Sequence, residues 1–132
     1  MFQAGGDSVR SYTPTRTGSS TTGTSPQSIS VSGRYAYVVN QGFDTLEIFD
    51  ISTSSPALVG SAAAGLNPAF VTVSGRYAYV VNISTPNTLQ IFDVSNPSSP
   101  TLVGSIVTGT NPRSVSISGR YAYVVSSATG IL

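Results

Sequence analysis

The side chains of this chain that can do acid, base or ligand chemistry are few: five carboxylates (Asp7, Asp44, Glu47, Asp50 and Asp93), six arginines, and no histidine, cysteine or lysine. Without His the commonest general base and metal ligand is missing; without Cys there is no thiolate nucleophile, thiolate metal site or disulfide. A two-carboxylate hydrolase needs its acids about 5 to 9.5 Å apart in one pocket. Asp7 and Asp44 instead occupy equivalent places in a repeat and so stand a unit or more apart. Asp50 and Asp93 each precede a Ser/Pro turn, where a carboxylate bonds the following backbone amides; no neighbouring acids supply the other oxygens a metal would need. No catalytic residue, metal or cofactor is expected, and a hydrolase or lyase ranks last among the functions considered.

The remaining polar candidates are amides in loops. Asn40, Asp44, Asn82 and Asn87 flank one set of connections, and Asn67 and Asn111 flank another. On a shared face they could hydrogen-bond a glycan or peptide, although turn formation explains the same residues without a ligand. Arg34, Arg76 and Arg120 recur on one turn and are expected as solvated turn residues rather than a docking site for an anionic partner.

These residues are distributed by a repeat. Ser32-Gly33-Arg34-Tyr35-Ala36-Tyr37-Val38-Val39 returns at residues 74–81 and 118–125, with steps of 42 residues from Gly33 to Gly75 and 44 from Gly75 to Gly119. Each period reads as four short strands. Residues 28–31 alternate polar and apolar, and Gly33 opens a two-residue turn whose first position needs a positive φ, as in type II′. Residues 35–39 form a second strand rich in β-branched and aromatic side chains, 45–51 a third and 57–61 a fourth. The second period repeats this with strands at 88–94 and 101–106, bounded by Asn67-Pro68 and Asn111-Pro112. No segment has helical periodicity, so the fold class is all-β.

Tandem four-stranded units of about 40 to 45 residues are the signature of β-propeller blades. Within the hairpin, Tyr35, Tyr37 and Val39 face one side and Ala36 and Val38 the other, a bulky face and a small face suited to stacking blade on blade. An internally duplicated β-sandwich and a β-solenoid are the alternatives; solenoid coils are shorter, and a sandwich needs no identical hairpins. The residues Tyr77 to Val81, Leu89-Gln90-Ile91-Phe92-Asp93-Val94-Ser95-Asn96-Pro97 and Pro100-Thr101-Leu102-Val103-Gly104 resemble the LVIVD repeat, a blade type of bacterial and archaeal surface proteins related to the YVTN propellers. The resemblance spans nearly the whole chain and implies a fold, with no catalytic motif.

The phase of the repeat carries a further expectation. Residues 1–24 align with the outer half of a blade, 25–66 and 67–110 with whole blades, and 111–132 with an inner half. Three blade-equivalents fall short of the roughly 4 to 8 that close a propeller. The expected partner is therefore the chain itself, as a homodimer closing a six-bladed ring with mixed blades. Ser8, Val9 and Tyr12 of one copy would meet Tyr121, Tyr123, Val124 and Val125 of the other. An open helical filament is the form taken if the contact does not close, and a cut from a longer or engineered protein is the other origin of complementary ends.

Composition sets the remaining bounds. Six scattered arginines offset by five acids give a formal net charge of +1, too little clustered positive charge for nucleic-acid binding. No apolar run reaches the length of about 18 residues that would suggest membrane insertion by a helix. A surface rich in Ser and Thr and free of Lys favours an extracellular or cell-surface setting, and because Met1 to Gly6 lack the form of a signal peptide, any export signal is expected to be absent from this sequence. The function expected first is a non-enzymatic, self-assembling structural or interaction scaffold; a glycan- or peptide-binding propeller comes second.

Overall fold

The computed structural model describes residues 13–127. Ten strands follow in order: β1 (Pro26–Ser32), β2 (Tyr35–Asn40), β3 (Thr45–Asp50), β4 (Ala57–Ala63), β5 (Pro68–Ser74), β6 (Tyr77–Asn82), β7 (Thr88–Asp93), β8 (Thr101–Val107), β9 (Pro112–Ser118) and β10 (Tyr121–Ser126). Each strand pairs antiparallel with its sequence neighbour to give sheets β1-β2-β3-β4 and β5-β6-β7-β8 and a third sheet of β9 and β10. This is the all-β, blade-like architecture expected from the repeat. Most strands run slightly past the expected limits, β1 starting at Pro26 because the ladder continues through a bulge to a Pro26–Asn40 pair, whereas β3 and β7 stop one residue short, at Asp50 and Asp93.

Gly33, Gly75 and Gly119 have φ of 59°, 60° and 57°, and the arginines that follow them are not in the left-handed region, as a type II′ turn requires. The bond from the Ile51 amide to the Arg34 carbonyl, repeated from Val94 to Arg76, ties the third strand to this turn. Ser25, Asn67 and Asn111 also have positive φ, each just before a proline at a blade entrance.

The core lies between sheets. Tyr37, Val39, Leu46 and Ile48 from the bulky face of the first blade pack against Val71, Ala78, Val80, Phe92 and Val94 from the small face of the second. The second blade repeats the rule, with Val81 and Leu89 and half-buried Tyr79 against Val115, Ile117 and Val124. Large face on small face fills the space between blades at interior density.

Residues 13–25 run ahead of β1 without strand pairing but follow the course of an outer strand of a preceding blade. The Gly23 amide donates to Glu47 Oε2 at 3.0 Å, as the Gly65 amide does to Gln90 Oε1 at 2.7 Å. The carbonyls of Thr24 and Ser25 accept from Gly42 and Gln41, as those of Leu66 and Asn67 accept from Ser84 and Ile83. Ser8, Val9 and Tyr12 lie outside the described residues.

Candidate functional site

The end of the blades that carries the II′ turns holds the three repeated arginines, Arg34, Arg76 and Arg120. Arg34 pairs with Asp50 and Arg76 with Asp93, the second at 2.5 Å, and each guanidinium also lies 5.6 Å from the ring centroid of the following tyrosine, Tyr35 or Tyr77. Asp50 Oδ1 accepts from the Ser52 amide, and Asp93 Oδ1 from the Ser95 amide and hydroxyl. The Asx turns expected from sequence are therefore present, and the carboxylates serve as anchors between a hairpin turn and the start of a loop. Arg120 stacks on Tyr121 at 6.0 Å.

The Arg34 bond first, then the Ser52 donors, hold the Asp50 carboxyl at about 2; for Asp93 the Ser95 hydroxyl leads, followed by Arg76. Both values are depressed from the unfolded carboxylate range of about 3.9, so this stabilisation is fully present above pH 4 and is lost as pH falls through about 2. Between pH 4 and 2 the denaturant midpoint of the native chain should fall, and it should fall less in the Asp50→Asn, Asp93→Asn double variant. Parallel profiles would show that these carboxylates contribute nothing.

At the opposite end the amide candidates separate into two groups. Asn40 and Asn82 are fully buried beneath the loops rather than displayed on them. As the last residues of β2 and β6 they sit opposite Thr45 and Thr88, and their Nδ2 groups donate to those hydroxyls at 3.2 and 3.0 Å. Their Oδ1 atoms, and Asn87 Nδ2, have no hydrogen-bond partner among the described residues. Asp44 and Asn67 come together, the Asn67 amide donating to Asp44 Oδ1 at 2.7 Å while Asn67 Nδ2 donates to Ser84. The Asn87 carbonyl accepts from Thr108, and the Asn111 carbonyl from Ser127. The six residues thus hold the ends of the blades in register, and among the described residues no His, Cys, Asp or Glu group of three could hold a metal.

Sequence reasoning missed two features. Glu47 and Gln90 stand at equivalent half-buried positions on the small face of the third strand, and each latches the glycine of the connector that enters its blade. A Cβ on Gly65 would lie 2.7 Å from Asn82 Nδ2 and one on Gly23 2.9 Å from Asn40, so the connector passes directly over the buried amide. Ser28 and Ser30 reach from β1 into the second blade, their Oγ atoms accepting from the Val71 and Val73 amides at 3.2 Å each. The alternation Ser28-Ile29-Ser30-Val31 was the available signal for these hydroxyls; it marks the strand, but not what the serines reach.

Among the described residues, two sheet faces remain uncovered. On the first blade, Ile29 and Val31 are 62% and 59% exposed, although Val71, the equivalent of Ile29 in the second blade, is 1% exposed. Beside them Ala36, Val38, Phe49 and Ile51 form a separate apolar cluster. Cavities of about 290 and 140 Å³ open on this face, the smaller one walled by Ser20 and Thr22 on one side and by Val38, Phe49 and Ile51 on the other. On the third sheet, Tyr121, Tyr123 and Val125 are 61%, 47% and 44% exposed, where their equivalents Tyr37 and Val39 in the first blade are buried. Val124, named with them for the contact between copies, packs its side chain inside the chain against the second blade.

Stacked four-stranded antiparallel sheets with bulky-on-small packing define a propeller-type repeat module. The LVIVD repeat model matches at residues 23–63, 69–108 and 109–131, and the chain belongs to this repeat family. Solved structures share the fold. Hydrazine synthase of Kuenenia stuttgartiensis is 26% identical with a TM-score of 0.68, over 80% of this chain and 31% of that one. A putative 6-phosphogluconolactonase of Bacteroides fragilis is 25% identical with a TM-score of 0.70, over 76% of this chain and 32% of that one. The chain spans about a third of the length of each of these propeller proteins. No curated protein matches it.

Proposed function

We propose that this chain is a non-enzymatic LVIVD blade module that works as a self-assembling interaction scaffold, two copies closing a six-bladed ring. The observation that carries this reading is the pair of uncovered faces. One is bulky, with Tyr121, Tyr123 and Val125, and the other is small, with Ile29, Val31, Ala36 and Val38 around Phe49. They are the two halves of the contact already made twice within the chain. Apolar sheet faces and unpaired edges left in water favour association.

A non-catalytic role is supported by the engagement of each described acid. Asp50 and Asp93 pair with arginines, Glu47 holds the Gly23 amide and Asp44 holds the Asn67 amide. The Ser/Thr-rich, Lys-free composition supports an extracellular or cell-surface setting. Sedimentation equilibrium or light scattering of the 132-residue chain tests the reading. The expected result is one species of twice the chain mass. A stable folded monomer would refute it, and an open-ended ladder of masses would replace the ring by a filament.

A further inference from the structure

Resting on that assembly reading, we infer that Ser114 and Ser116 are the register-setting groups of the contact between copies, their hydroxyls accepting hydrogen bonds from the Ile29 and Val31 amides of a second copy. The junction inside the chain already contains such a pair of bonds. Ser28 and Ser30 stand opposite Val39 and Tyr37 in the β1–β2 ladder, so they lie on the bulky face, and their Oγ atoms accept from the Val71 and Val73 amides of the next blade. Those two amides belong to β5, the edge strand of its sheet, and use donors that the ladder with β6 leaves free.

The same constellation exists at the two uncovered faces, divided between them. In the third sheet Ser114 and Ser116 stand opposite Val125 and Tyr123, the positions of Ser28 and Ser30 in the first blade. In β1, Ile29 pairs with Val38 and Val31 with Ala36, as Val71 pairs with Val80 and Val73 with Ala78 in β5. β1 is likewise an edge strand among the described residues, so the Ile29 and Val31 amides face away from β2. Acceptors and donors therefore share one spacing and one relation to the bulky and small faces. The second blade breaks the series, with Phe70 and Thr72 in the two positions. The serine pair thus distinguishes the first and third inner strands from the second.

A second copy also suits the shape of the receiving face. In the junction inside the chain, β4 forms the outer wall through Val59 and Ala62, and the inner strands of the first blade fill the space beside it. On the face of the first blade, residues 20–22 already stand in that outer position, and the cavity between Ser20, Thr22 and Phe49 occupies the place of the inner strands. β9 and β10 are an inner pair with no outer strand among the described residues. A polar peg pair within this apolar contact fixes register, since sliding by one residue would turn the hydroxyls away and leave both amides unpaired.

The test compares the native chain with Ser114→Ala, Ser116→Ala and with Ser28→Ala, Ser30→Ala. Dissociation constants come from sedimentation, and amide exchange is read at Ile29 and Val31. The closed ring holds two such contacts, so the Ser114/Ser116 variant loses four hydrogen bonds per dimer and should associate roughly 30- to 10,000-fold more weakly. Exchange at Ile29 and Val31 should slow on association of the native chain and remain fast in that variant at equal occupancy. The Ser28/Ser30 variant should lose thermal stability yet keep the native dissociation constant. An unchanged constant for the Ser114/Ser116 variant, or continued protection of both amides in it, overturns this inference while leaving self-assembly intact. A native chain that stays monomeric overturns both.

Discussion

Replacing Phe92 by alanine should lower the melting temperature by roughly 10 to 20 °C, the largest loss from any single truncation considered. Phe92 is fully buried and belongs to the cluster that joins the first two blades, where it meets Ala78 across the ladder and lies among Val71, Val80 and Val94. Truncating a buried phenylalanine costs about 3 to 5 kcal/mol, from lost transfer free energy and from the cavity left behind. That is a large part of the roughly 5 to 15 kcal/mol that holds a domain folded, and for a chain of this size each kcal/mol moves the midpoint by about 3 to 5 °C. Phe49 is the control. It occupies the same repeat position in the first blade, but its cluster of Ala36, Val38 and Ile51 faces the open cavity instead of another sheet. In the dissociated chain, Phe49→Ala should cost less than Phe92→Ala by at least about 1 kcal/mol, because fewer packed atoms surround the side chain. Calorimetry at concentrations below association decides between them; equal losses would mean that contact between blades contributes little.

Gly60→Ala should be nearly as damaging, for the opposite reason. A Cβ at Gly60 would stand 2.0 Å from the Pro97 carbonyl oxygen, with the Pro97 and Ser98 carbonyl carbons at 3.0 and 3.1 Å. The obstacle is backbone, so no rotamer relieves it, and the β4 edge must move off the turn between β7 and β8. That movement strips Val59 and Ala62 from the core they half cover. Overpacking of this kind costs about 1 to 3 kcal/mol and occasionally more, and the rigid obstacle places Gly60 at the upper end. Gly104 is its repeat equivalent in β8, and among the described residues a Cβ there would meet only the Ile91 side chain, at 3.8 and 3.9 Å. Gly104→Ala should therefore leave the chemical-denaturation midpoint within about 0.5 kcal/mol of native. A Gly60→Ala chain as stable as the Gly104→Ala chain would show that the first two blades do not pack as described.

These paired contrasts also measure what could be read beforehand. The II′ turns at Gly33, Gly75 and Gly119 were legible, because a glycine at the first turn position of a hairpin answers a local backbone demand. The two-sided character of Tyr35 to Val39 was legible for the same reason, since side chains alternate along a strand. Asn40 and Asn82 were harder. Their type suggests an exposed loop, but their burial follows from a connector passing over them, with Gly23 and Gly65 close enough to exclude a Cβ. Val124, expected in the contact between copies through strand pairing, packs its side chain against the second blade, as alternation along the strand dictates.

The sequence by itself determined the all-β repeat, the blade length, the hairpin turns and the absence of histidine, cysteine and lysine from any site. All of these are properties of residue type and of periodicity along one chain. Only the tertiary structure decided which of two equivalent positions has another sheet packed against it. Phe49 and Phe92, Gly60 and Gly104, and Ile29 and Val71 have equivalent local environments, and differ in whether another sheet lies against them. Local chemistry repeats with the sequence, but burial depends on neighbours, so the blades at the edges of the stack have the same side chains in a different setting.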